Sequence, residues 1–248
     1  MEKKLATQRV SLDVADGTTM NAYVARPAEE GKFPGMMVFQ EAFGVNVHIR
    51  DVTERLAREG YVAIAPELFH RTAAPGFEAS YNDFPSVMPH MQAITETGAS
   101  KDIEATYDWL RTHPQVVPER IGSIGFCLGG RMSYLADSVV KLRAAISFYG
   151  GRIAPDLLPR AAHLSAPILF FWGALDQHIP AEQIRAVIDE IKKSKKPYVN
   201  VEISDADHGF FCDARASYNP VAATLAWTLS LKFLETHMQG AEQKTQSA

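Results

Sequence analysis

The sequence predicts an α/β fold with a mostly parallel central sheet and helices on both faces. Three observations predict it. Short apolar runs of the kind that form buried parallel strands recur at 36–39, 61–65, 121–126, 144–149 and 167–173. Helix-length stretches lie between most of them, so strand and helix alternate from residue 35 to residue 237. The six residues Gly125-Phe126-Cys127-Leu128-Gly129-Gly130 join a strand to a helix through a turn bracketed by glycine. In a turn that tight, side chains two before and two after the central residue collide, so glycine is required.

The elements follow in order. Residues 10–13 and 21–26 read as a strand pair around Asp16-Gly17, a hairpin signal. Pro34-Gly35 opens the strand at 36–39. Residues 47–59 carry Val52, Leu56 and Ala57 among charges, an amphipathic helix that Gly60 ends. The strand at 61–65 stops at Pro66. Residues 67–98 hold Pro75, Gly76, Pro85, Pro89 and Gly98; they read as an irregular segment that covers the substrate site. Helical spacing returns at 99–112. After the glycine turn come a helix, the strand at 144–149, the strand at 167–173, a helix at 181–194, a strand at 198–203 and a last helix at 221–237. Residues 240–248 read as a frayed polar tail. No linker or repeat divides the 248 residues, so one domain is expected, with its core over about 10–237.

Composition removes several function classes. A net charge of −4 with no basic block argues against nucleic acid as a partner. No apolar run approaches the ~20 residues of a membrane span. The start Met1-Glu2-Lys3-Lys4 lacks an apolar signal region, and two cysteines make no disulfide framework. A cytoplasmic protein, monomer or homodimer, is expected. No metal motif and no Gly-x-Gly-x-x-Gly run appears, so no cofactor is expected.

In such sheets the active site lies beyond the carboxyl ends of the strands. Three strand ends carry reactive side chains there: Cys127 in the glycine turn, Asp176 in Gly173-Ala174-Leu175-Asp176, and His208 in Asp207-His208-Gly209. The order nucleophile, acid, histidine is that of the α/β-hydrolase fold. A histidine takes the thiol proton, and a carboxylate holds the ring in the required tautomer. The helix after Cys127 aims its positive end at the sulfur, and the free N–H of Leu128 is a donor for a developing oxyanion. Asp205 and Asp207 compete for the acid role but read as turn residues.

With these residues in place, the chain resembles the dienelactone hydrolase family. The resemblance rests on the cysteine turn, on Gln40-Glu41-Ala42-Phe43-Gly44-Val45-Asn46, on Ala65-Pro66-Glu67-Leu68-Phe69, and on the Asp176 and His208 segments. It implies a triad of Cys127, His208 and Asp176. It implies an oxyanion hole of the Ala42 and Leu128 N–H groups, and a role for Glu41 in ionising the thiol. Four residues after the histidine, where the best-known members carry a substrate-gripping arginine, this chain has Cys212. Arg215 is the candidate substitute, and Arg71 is the arginine available after Pro66.

The implied activity is that of a carboxylic ester hydrolase. A thiolate is itself a good leaving group, so the substrate needs a better one, as enol lactones, aryl esters and thioesters have. Phe43, Tyr149, Trp172 and Phe210 flank the strand ends and are expected to line an apolar pocket for a small ester or lactone. A scaffold of the same fold that binds a small ligand without chemistry is the second reading; slow alkylation of Cys127 would favour it.

Overall fold

In a computed structural model that describes residues 3–238, β1 (Leu5–Asp13) and β2 (Thr19–Pro27) pair antiparallel along their whole length. The turn between them is the expected one. Gly17 takes φ 84°, and Asp16 Oδ1 accepts the Thr18 N–H at 3.1 Å. Then follow β3 (Phe33–Phe39), α1 (Val47–Arg58), β4 (Val62–Pro66), α2 (Phe84–Ala93), α3 (Glu96–Thr112), β5 (Val116–Phe126) and α4 (Leu128–Val139). The chain closes with β6 (Ala144–Phe148), β7 (Ile168–Gly173), α5 (Ala181–Lys193), β8 (Tyr198–Ile203) and α6 (Pro220–Met238). The tail expected at 240–248 lies outside the described residues.

The strands form one eight-stranded sheet in the order β1-β2-β4-β3-β5-β6-β7-β8. β2 runs antiparallel to β4, and every pair from β4 to β8 is parallel. All residues of β4, β6 and β7 are buried, as strands covered on both faces must be. α1 buries Ile49, Val52 and Leu56, the stripe its spacing marks. Among the described residues no helix is long and apolar enough to cross a membrane.

The segment 67–98 is more regular than its composition suggests. It contains α2, and α3 begins at Glu96 rather than Ala99. Pro85 sits in the first turn of α2, where a missing N–H costs nothing; Asp83 caps that helix and Thr95 caps α3. The ladder Gly44↔Glu78 and the Arg50–Glu78 ion pair at 2.5 Å fasten this segment to the loop after β3. Arg71, expected to contact substrate, pairs with Asp102 of α3 at 2.8 Å and with Asp16 of the hairpin at 2.7 Å.

Candidate active site

Cys127 stands between β5 and α4 with φ 55° and ψ −114°, a conformation that costs a non-glycine residue roughly 1–3 kcal/mol. Two backbone bonds hold it there. Its N–H donates to the Phe148 carbonyl at 3.0 Å, and its carbonyl accepts the Gly130 N–H at 3.0 Å. A Cβ on Gly125 would overlap the Gly129 carbonyl, and one on Gly129 would overlap the Phe39 carbonyl. The glycine bracket therefore lets α4 start directly against the end of β3. That close approach sets the first turn of α4, where the Leu128 N–H has no intrahelical acceptor, against the Phe39 and Gln40 carbonyls.

β7 and β8 deliver the acid and the base. His208 Nδ1 lies 2.7 Å from Asp176 Oδ2, and Asp176 Oδ1 accepts the His178 N–H at 2.7 Å. Asp207 is a turn residue, its carboxylate accepting the His208 N–H at 2.6 Å. Asp205 accepts from Asn219, so neither rival acid reaches the imidazole. The rings of Tyr149 and His178 flank His208 at 5.1 and 5.3 Å. Burial disfavours the His208 imidazolium, but the charge of Cys127, hydrogen bonds to Asp176 and Cys127, and the Asp176 charge outweigh it; its pKa rises to about 10. Burial pushes the Asp176 carboxyl up, yet the His208 hydrogen bond and charge hold it below the usual range.

Glu41 follows β3 and is fully buried. Its Oε1 pairs with Arg215 Nη1 at 3.2 Å, while its Oε2 has no hydrogen-bond partner among the described residues. Burial opposes the Arg215 charge, and Glu41 and Cys127 restore it, so its pKa is raised. The guanidinium lies 5.9 Å from the ring centres of both Phe43 and Tyr81. Asn46 ties these parts together. Its Oδ1 accepts the Ile49 N–H and caps α1, and its Nδ2 donates to the Tyr81 hydroxyl at 2.9 Å. Gln40 fixes the next strand end, its Oε1 accepting the Leu68 N–H at 3.0 Å. A cleft of about 550 Å³ opens beside His208, walled by Ser80, Tyr81, Asn82, His178 and Arg215.

Comparison with known proteins settles the kinship. Residues 20–238 match the model of the "Dienelactone hydrolase family". This chain belongs to the dienelactone hydrolase family. A Synechocystis protein named "Putative carboxymethylenebutenolidase" is 39% identical over 229 residues, covering 88% of this chain and 92% of that one. A Bradyrhizobium protein named "Probable 2-oxo-3-(5-oxofuran-2-ylidene)propanoate lactonase" is 28% identical, covering 95% and 98%. The crystal structure of a Klebsiella pneumoniae protein described as a "Putative Dienelactone Hydrolase" superposes with a TM-score of 0.85 at 32% identity, covering 94% and 99%. The fold is thus the α/β-hydrolase fold, and the chain is a hydrolase of this family.

The structure redistributes the residues expected to touch substrate. Arg215 reaches the cleft and takes the glutamate partnership expected of an arginine three positions earlier. Tyr149 packs on His208. Phe43 lies edge-on beneath Tyr81 at 4.7 Å and is 4% exposed, so it supports the wall. Phe210 is fully buried against Tyr149. Trp172 is a core residue: it stacks on Phe170 at 5.4 Å and donates its Nε1–H to Asn200 at 2.7 Å. None of the four aromatic residues expected to line an apolar pocket is among the residues that wall the cleft beside His208. Tyr81 and Asn46 were missed, because only the fold of 67–98 brings Tyr81 over the site.

A pH experiment follows from the His208–Asp176 bond. Because the folded His208 pKa lies above its ordinary 6.5, the stabilisation from its charge is complete below 6.5 and is lost as pH rises through about 10. Asp176→Asn removes one support of that charge. The alkaline limb of kcat/KM is expected to move toward neutrality, with kcat falling about 10³–10⁴-fold. An unmoved limb counts against the pairing.

Proposed function

We propose that this hydrolase cleaves activated carboxylic esters and enol lactones through an acyl-thioester on Cys127. The observation that carries the reading is the linked set at three strand ends. Cys127 stands near enough to His208 to help raise its pKa, and His208 is bonded to Asp176 at 2.7 Å. The sulfur attacks the ester carbonyl as a thiolate paired with the imidazolium. The C–S bond forms and the carbonyl electron pair moves onto oxygen, where the Leu128 and Ala42 N–H groups are aimed. The intermediate collapses, the C–O bond breaks, and His208 gives its proton to the departing oxygen. Water, deprotonated by His208, then attacks the thioester and releases the acid with the thiol restored.

Glu41 and Arg215 supply the charge next to the nucleophile. Paired to Arg215, the carboxylate is kept from the sulfur; a substrate anion that engages Arg215 frees Glu41 toward the thiol. Arg215 and His178 on the cleft wall favour a substrate that carries an anionic group. Relatives named as a carboxymethylenebutenolidase and a lactonase support the lactone class.

Acid-quenching the enzyme during turnover of an aryl acetate, then mapping peptides by mass, is expected to place one acetyl group on Cys127. Cys212, buried and with its thiol pushed up to about 11, is expected to stay unmodified. Turnover with no adduct at Cys127, or an adduct on another residue alone, overturns the mechanism.

A further inference from the structure

Around Glu41 lies a second cluster, whose other two members the reaction does not use. Glu41, His48 and Cys212 each offer a donor atom, and the three donors lie within 4.8 Å of one another. All three residues are buried. They come from separate segments: the end of β3, the first turn of α1, and the loop after His208. Cys212 has a hydrogen bond to the Tyr81 hydroxyl at 3.1 Å. The other two side chains present orphans: among the described residues neither Glu41 Oε2 nor His48 Nε2 has a partner. Burying an unsatisfied polar atom costs about 1–3 kcal/mol, so two orphans on side chains that cluster with a thiol point to a missing ligand.

We propose that Glu41, His48 and Cys212 form a binding site for a divalent metal ion of the zinc class. A carboxylate oxygen, an imidazole nitrogen and a thiolate sulfur suit a borderline ion such as Zn²⁺ or Co²⁺ and poorly suit Ca²⁺ or Mg²⁺. Tetrahedral zinc bonds of about 2.0–2.3 Å require donors roughly 3.3–3.8 Å apart, so the three side chains close in by about an ångström. Ligation takes the imidazole in its neutral form. Binding releases the Cys212 proton to solvent, so affinity rises with pH. His48 also lines a second recess of about 180 Å³, with Asp51, Asp213, Arg55 and Trp227. The carboxylates of Asp51 and Asp213 attract a cation; Arg55 opposes it but is stacked 4.1 Å over Trp227.

The consequence for turnover rests on the proposed function. An ion that takes Glu41 draws it from Arg215 and from the neighbourhood of Cys127, so the loaded enzyme is inhibited and a chelator restores it.

The binding itself is tested without activity. The full chain carrying Cys127→Ala, titrated with Co²⁺, is expected to show a thiolate-to-cobalt charge-transfer band saturating at one ion per chain. Zn²⁺ should bleach it. Adding Cys212→Ser should abolish the band, and adding His48→Gln should weaken binding at least about tenfold. No band, or a band that survives Cys212→Ser, overturns the proposal; the orphans are then bridged by water. For inhibition, Zn²⁺ should act at least about tenfold less well on Cys212→Ser than on the wild type. Undiminished inhibition places the ion on the catalytic thiol and overturns the regulatory role. A wild-type protein that hydrolyses no ester would undo the proposed function and leave the cobalt band as it is.

Discussion

Cys127→Ala is expected to abolish the acylation burst with an aryl acetate and to lower kcat/KM by about 10⁴–10⁶-fold. On the proposed mechanism the substitution removes the atom that bonds to the substrate and leaves its supports in place. Alanine keeps the Cβ, and the backbone bonds to the Phe148 carbonyl and from Gly130 do not involve the sulfur. The substitution leaves the amides of Leu128 and Ala42, the proposed oxyanion donors, unchanged, so residual turnover above the uncatalysed rate is expected from them. Removing the thiol also removes a main support of the His208 charge, so that ring should titrate at lower pH than in the wild type. Burst kinetics and thermal melts on the same samples check the result. A melting temperature near that of the wild type with turnover gone assigns the loss to chemistry. Turnover that survives intact would move the nucleophile elsewhere.

Arg215→Ala should be the most destabilising change near the cleft. Glu41 is fully buried and Arg215 Nη1 lies 3.2 Å from it, so the substitution leaves a charge inside the protein without its counter-ion. Breaking a fully buried pair costs about 3–5 kcal/mol; with the Arg215 side chain 19% exposed, about 2–4 kcal/mol is expected. For a domain of this size that corresponds to roughly 6–12 °C in Tm. Glu41→Gln in the same chain removes the stranded charge, so the double variant should recover more than half of the loss. Urea unfolding of the wild type, both single variants and the double variant gives the coupling energy. A loss below about 0.5 kcal/mol for Arg215→Ala would mean that the pair does not hold the site.

The pair also shows where sequence reasoning stops. Position 212 is where a family arginine was expected, and the chain has cysteine there. The guanidinium comes instead from Arg215, because the loop after His208 turns back on itself: Arg215 N–H donates to the Cys212 carbonyl at 3.1 Å. Arg71 is the arginine available after Pro66, yet it is paired with Asp16 and Asp102. Trp172 and Phe210 stand beside strand ends in sequence, but closeness along the chain does not say whether a ring turns toward the cleft or into the core. Pro85 and Pro89 made α2 unreadable, since proline signals interruption, although Pro85 occupies a position where a helix tolerates it.

Other features were legible because their physics is local. The Asp16-Gly17 turn, the buried parallel strands, the stripe of α1 and the glycines around Cys127 all follow from sterics and burial within a few residues. The order of cysteine, aspartate and histidine at three strand ends then follows from the alternation of strand and helix. Contacts between segments distant in the chain have no such local signal. The His208–Asp176 bond spans 32 positions, the Arg215–Glu41 pair 174, and the Tyr81–Cys212 contact 131. Metal-motif spacing gave no hint of Glu41, His48 and Cys212, whose donors meet only when β3, α1 and the last loop pack together. Residue types and short spacings thus dictate which chemistry is possible here, and packing of remote segments selects which side chains are near enough to perform it.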